Sequence, residues 1–135
     1  MNVLQPPGWP RPRGYSNGIQ ASGQMIFVAG MIGWDDQQQF PGADLVAQTE
    51  QALRNVVAVL DQAGAKPDHV TRMTWYLTSR DDYLNQAADI GAVYRDVMGK
   101  HYPVMTAVQV QALMEEQAVV EIEVTAVIPD ESEGS

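Results

Sequence analysis

The spacing of apolar residues switches between two periods along this chain, and that succession limits the fold more than any other feature. From Ala43 to Ala63 the apolar positions Val46, Leu53, Val56, Val57 and Leu60 fall at helical spacing, and Gly64 followed by Pro67 stops them. Val70 to Leu77 then alternates: Met73, Trp75 and Leu77 take one face and Arg72, Thr74 and Tyr76 the other, with β-branched or aromatic side chains at most positions. Ser79 before Arg80-Asp81-Asp82 reads as a helix N-cap with acids in the first turn, and Leu84, Ala87, Ile90, Tyr94 and Val97 carry helical spacing on to Gly99. Period two returns at the end. Val108, Val110 and Ala112 lie opposite Ala107, Gln109 and Gln111, and Val120, Ile122, Val124 and Ala126 lie opposite Val119, Glu121, Glu123 and Thr125, two predicted strands of an antiparallel pair joined through Met114-Glu115-Glu116-Gln117. Upstream, Ile19 to Ser22 and Met25 to Ala29 are short β-type runs around Ser22-Gly23-Gln24, which reads as a hairpin turn, with a third short strand near Gly30 to Gly33. The order ββ(β)αβαββ puts both helices on one face of a single, mainly antiparallel sheet, an α+β fold.

The ends differ from the middle. Pro6, Pro7, Pro10 and Pro12 make residues 1–12 an extended lead-in, since proline removes donors and fixes φ. The acidic run 130–135 has no apolar residue and should fray, so the expected single domain spans 13–129. The helix-free face of the sheet would carry Arg72, Thr74, Gln109, Gln111, Glu121 and Glu123 beside Val119 and Tyr76. It is either a solvated face, common in antiparallel sheets, or a semi-polar subunit contact with a small-molecule site at its rim.

Composition removes several functions. A formal net charge of -9 leaves no excess of Lys and Arg to replace counterions on a polyanion, so a nucleic-acid partner is not expected. The chain has no cysteine, hence no disulfide and no thiol nucleophile, and its two histidines, His69 and His101, have no partner at ligand spacing, so no metal is expected. No apolar run is long enough to cross a membrane and the first residues do not read as a secretion signal, which points to a cytoplasmic protein. Gly14, Gly18, Gly30 and Gly33 do not form a phosphate loop, and no Ser-His-Asp or Cys-His set can be placed. Chemistry, if present, is addition of water without a cofactor.

An ordered series of short motifs goes further. Tyr15-Ser16-Asn17-Gly18, Ile26 to Gly33, Gln51 to Asn55 before Ala63-Gly64-Ala65, Pro103 to Val110, and Val120 to Ala126 together resemble the RidA (YjgF) family of reactive-intermediate imine deaminases, also labelled endoribonuclease L-PSP proteins. The resemblance covers the chain from Gly14 to Pro129. It implies a chorismate-mutase-like fold, a homotrimer whose inner sheet faces form a barrel, and small-molecule sites at the clefts between subunits. It also implies hydrolysis of enamines and imines to a keto acid and ammonia, without metal or organic cofactor.

Carried over residue by residue, Tyr15 matches the family tyrosine near the substrate and Glu121 the glutamate that positions or activates water. A carboxylate in a partly desolvated cleft suits a general base, and a tyrosine hydroxyl can donate to substrate. Gly30 sits in the family Ser-Gly turn, with Ala29 at the serine position; Gly91 falls where many members have a substrate-facing Asn, and Ala107 where several have Cys. The largest departure is Met105, where active deaminases have the Arg of Pro-Ala-Arg that grips the substrate carboxylate. A thioether has neither charge nor donors, so either the substrate is apolar at that place or another cation serves, among Arg13, Arg54, Arg72, Arg95, Lys100 and His101. Arg72, on the semi-polar face, and His101, two residues before the motif proline, stand foremost. Trp75 and Tyr76 can stack on an aromatic ligand, although core or interface packing is the commoner use of such residues. The resulting expectation is a divergent hydrolase of an enamine, imine or related small reactive amine, the class that includes deaminases of ring-cleavage products such as 2-aminomuconate. The alternative is a trimer that binds a small molecule and has lost catalysis with the motif Arg. A ribonuclease fits the charge badly.

Overall fold

The computed structural model describes residues 1–130; the acidic run beyond Asp130 lies outside the described residues. Strands β1 (Asn2–Leu4), β2 (Gly18–Gln20) and β3 (Gly23–Ile32) precede helix α1 (Leu45–Gln62), and a 3-10 turn at Pro67–His69 leads into β4 (Val70–Leu77). Helices α2 (Arg80–Asn85) and α3 (Ala87–Met98), then β5 (Val104–Gln109) and β6 (Val120–Pro129), complete the chain. The main sheet has the order β3-β6-β4-β5, antiparallel except for the parallel pair β4–β5, and β1 pairs with β2 as a separate ribbon. Parallel neighbours cannot be joined by a tight turn, so the α2–α3 segment serves as the crossover between β4 and β5. α1 packs on α3, β3 and β6, over a core that includes Leu53, Val56 and Leu60 from α1, Met73, Trp75 and Leu77 from β4, and Val120, Ile122 and Val124 from β6. The α+β arrangement and the mainly antiparallel sheet are those the apolar periods predict.

Two pairings and one strand boundary differ from the sequence reading. β2 and β3 do not form a hairpin: β2 pairs with β1, and β3 pairs along its length with β6. Gly23 is not the tip of a turn but the first residue of β3, at φ +144, where a Cβ would overlap the carbonyl oxygen of Ile128 on the adjoining strand. The glycine there permits a close approach of two backbones, which in sequence looks the same as a turn signal. The expected third strand is the end of β3 itself, continued through a register shift between Val28 and Met31. β5 and β6 are not neighbours either, since β6 lies between β3 and β4. Val120, Ile122, Val124 and Ala126 are all buried, which suits a central strand, whereas Thr106 to Gln109 of β5 are exposed, which suits an edge. The second helix is interrupted at Gln86, whose φ of -110 and ψ of 19 leave the helical range. The break turns Leu84 outward, 61% exposed, and sets Tyr83 edge-on to Trp75 with ring centroids 6.1 Å apart.

Asp44 starts α1 by accepting the Ala47 N–H at 3.0 Å. Asp44→Ala should lower the unfolding free energy by about 1 kcal/mol in urea denaturation, as for other lost N-caps.

The face away from the helices is uncovered in a single chain. It carries Met25 and Phe27, 59% and 71% exposed, beside Arg72, Thr74, Tyr76, Glu121 and Glu123. The Tyr76 hydroxyl donates to Glu123 Oε1 at 2.6 Å, and that bond raises the Tyr76 pKa above the ordinary tyrosine value. A large exposed ring beside methionine on a flat sheet is unusual for a solvated face.

Candidate functional site

A concavity of about 560 Å³ lies on the helix side of β5. Three elements build it. β5 presents Met105 and Ala107 to it, because their partners across the parallel pair, Met73 and Trp75, also point to the helix face. α2 and α3 roof it with Tyr83, Ile90, Gly91, Tyr94 and Arg95. The chain from Arg13 to Tyr15 closes the remaining side. That strap is pinned through Ser16, whose N–H donates to Pro103 O at 3.0 Å and whose hydroxyl donates to the carbonyl of Tyr102. The bridge between Ser16 and Val104 adds a residue to the free edge of β5 and sets Tyr15 at the cavity.

Five aromatic side chains, Tyr15, Trp75, Tyr83, Tyr94 and Tyr102, contribute to the walls. Tyr94 and Tyr102 stack at 5.8 Å with 17° between planes, and the Tyr94 hydroxyl donates to His101 O at 2.6 Å. Burial pushes the pKa of the Tyr83 and Tyr94 hydroxyls upward, with Tyr102 adding to the effect on Tyr94, so both stay protonated at neutral pH. The formal charge at this cavity therefore comes from Arg13 and Arg95.

Seven residues singled out by sequence meet here: the motif positions Tyr15, Gly91, Met105 and Ala107, together with Trp75 and the candidate cations Arg13 and Arg95. Glu121 and Gly30 meet elsewhere. They lie on the open face, where the Glu121 side chain packs so closely on Gly30 that a Cβ at that glycine would overlap Glu121 Oε2. Ala29 is exposed at the register shift of β3 beside them. Two intervening steps of the sheet and its thickness separate Glu121 from Met105, since β6 is parted from β5 by β4 and the two side chains take opposite faces. Arg72 is on the open face as well, in a shallow cleft with Phe27, Thr74 and Glu123. His101 has its Nε2 at 2.6 Å from Val70 O; a carbonyl only accepts, so Nε2 carries the proton and the ring ties the start of β4 to the loop before β5. The cations at the cavity are thus Arg13 and Arg95 rather than Arg72 and His101. The sequence reading names Arg95 only as one of six candidate cations and does not single out Tyr83, Tyr94 and Tyr102 for a site. The signal that favours Arg95 within that set is its position one helical turn from Gly91.

Residues 10–128 match the Endoribonuclease L-PSP family. A RutC family protein of Pyrococcus abyssi is 36% identical over 106 residues, covering 77% of this chain and 80% of its own. A 2-iminobutanoate/2-iminopropanoate deaminase of Salmonella typhimurium is 29% identical over 116 residues, covering 84% and 86%. Among solved structures, a protein of unknown function from the conserved Rid family of Yersinia pestis, YyfB, superposes with a TM-score of 0.81 at 32% identity, covering 94% of this chain and 98% of that one.

Proposed function

Because this chain belongs to the RidA (YjgF) family, which includes imine deaminases, we propose that it hydrolyses the C=N bond of a small reactive enamine or imine and releases ammonia without a cofactor. The observation that carries the reading is the convergence of Tyr15, Gly91 and the β5 pair Met105 and Ala107 on one cavity, since these come from three segments far apart in sequence. In the reaction the substrate reacts as the imine: water oxygen bonds to the imine carbon while Glu121 takes one water proton and passes it to nitrogen, giving a carbinolamine. Transfer of the remaining hydroxyl proton to nitrogen, again through Glu121, breaks the C–N bond and leaves a carbonyl and ammonia. Tyr15 donates a hydrogen bond to the substrate and holds it in place.

Glu121 is on the far face of its own sheet, so the reading requires a second copy of the chain. We place the working site at the cleft of a homotrimer in which the open faces turn inward. Burial of the exposed Phe27 and Met25 favours such an assembly. Met105, in place of the carboxylate-binding Arg, makes the substrate a non-standard one. The same change supports the second reading, a trimer that binds a small molecule without converting it.

Ammonia release from freshly generated 2-aminoacrylate, 2-aminocrotonate and 2-aminomuconate separates the two. Catalysis predicts acceleration of at least one substrate and a loss of about a hundredfold or more in Glu121→Ala, the usual scale for a general base. A wild-type protein inert toward all three, with Met105→Arg alone gaining activity, supports the binding reading. Sedimentation should give three times the monomer mass, and a monomer would remove the route by which Glu121 reaches substrate.

A further inference from the structure

The cavity holds charge and a buried donor for which no ion pair or hydrogen bond is made among the described residues. Trp75 is 1% exposed and lines the cavity, and its indole N–H is buried without a hydrogen-bond partner. Arg13 and Arg95 line it too, and neither is in an ion pair among the described residues, where Arg54 pairs with Glu50 and Asp96 and Arg80 with Asp81. Helical side chains lean toward the N-terminus of their helix, and Arg95 does so over Gly91, one turn earlier. A Cβ on Gly91 would stand 3.3 Å from Arg95 Nη1, closer than a side chain there comfortably allows. The missing side chain at position 91 therefore makes the space in which the guanidinium lies at the cavity wall.

From these contacts we infer that the cavity selects a small carboxylate with a planar apolar body, and that Arg95 takes the carboxylate. The inference rests on the cavity being the substrate site proposed above. A guanidinium offers a two-pronged donor matched to a carboxylate, which an anion can use here without displacing a resident acid. The other walls are ring faces and edges from Tyr15, Tyr83, Tyr94 and Tyr102, with the thioether of Met105 on the strand side. Aromatic faces and a polarizable sulfur reward a flat apolar group and give a three-carbon acid little to contact. Arg95 thus determines specificity at the anionic end and the tyrosines at the other.

The test is calorimetric binding to the full chain of phenylpyruvate, a stable 2-oxo acid, of pyruvate, which lacks the ring, and of phenylacetone, which lacks the carboxylate. The wild type should bind phenylpyruvate at least about tenfold more tightly than either control. Arg95→Gln should lose about tenfold or more for phenylpyruvate while leaving phenylacetone unchanged, and Arg95→Lys should recover part of the loss. Arg95 is exposed, and unchanged phenylacetone binding reports an intact cavity in the variant. Phenylpyruvate affinity within twofold of wild type in Arg95→Gln, equal losses for both ring compounds, or pyruvate bound as tightly as phenylpyruvate would each overturn the inference. Turnover plays no part in this readout. Arg95-dependent binding with no ammonia from any enamine sinks the deaminase reading alone, and turnover with Arg95-independent binding sinks this inference alone.

Discussion

Gln48→Ala should cost about 3 kcal/mol of unfolding free energy, the largest stability loss expected from one polar side chain in this protein. Gln48 is fully buried in α1, and its amide makes three hydrogen bonds to the backbone of two different loops. Nε2 donates to Gly42 O at 2.8 Å and to Gln117 O at 2.9 Å, and Oε1 accepts the Val119 N–H at 2.9 Å. Truncation leaves these backbone groups without the amide and opens a hole beside Gly33, where a Cβ would stand only 2.6 Å from Gln48 Cβ. Water can reach part of the loop carbonyls, which keeps the figure below three full desolvation penalties. Gln48→Leu separates the causes: it restores the volume but not the bonds. Urea denaturation should show both variants destabilised by more than about 2 kcal/mol. A leucine variant within about 1 kcal/mol of wild type would assign the effect to packing instead.

The role of Gln48 also shows what was and was not legible in the sequence. The apolar periods predict β4 over Val70–Leu77 and α1 within Ala43 to Ala63, because a period is a local property, and the structure keeps both. Partner choice is not local. β5 and β6 alternate equally well as hairpin partners or as strands separated by β4, and what distinguishes them in the fold is that β6 buries Val120, Ile122, Val124 and Ala126 while no residue of β5 is buried. Gln48 itself stands in an amphipathic helix among residues that would pass for a solvent face, and its value comes from two loops distant in sequence. The candidate site divides in the same way. Tyr15, Gly91, Met105 and Ala107 are reached by motif likeness, yet only the fold shows that they share a cavity with several tyrosines and that Arg13 and Arg95, not Arg72 or His101, are the cations beside it. Glu121 and Gly30, found as separate motif positions, prove to be in contact.

That last contact yields the prediction with the largest expected effect on activity. Gly30→Ala should reduce ammonia release about a hundredfold while lowering stability little, because the added methyl meets the end of a side chain and not backbone. Its nearest neighbours would be Oε2, Cδ and Cγ of Glu121, all of which can swing aside toward the open face. The strand pairing at the register shift stays as it is, so the fold absorbs the change by moving the carboxylate. If Glu121 is the base, a displacement on the scale of an ångström removes most of its contribution, since general-base catalysis needs hydrogen-bond reach to the attacking water. The double variant isolates this cause. Gly30→Ala combined with Glu121→Ala should be no slower than Glu121→Ala alone, a coupling energy nearly as large as the single effect and of the sign expected for two residues acting through one group. Additive losses would mean that Gly30 serves the substrate by its own backbone. A full-speed Gly30→Ala would mean that the carboxylate held against this glycine takes no part in the chemistry.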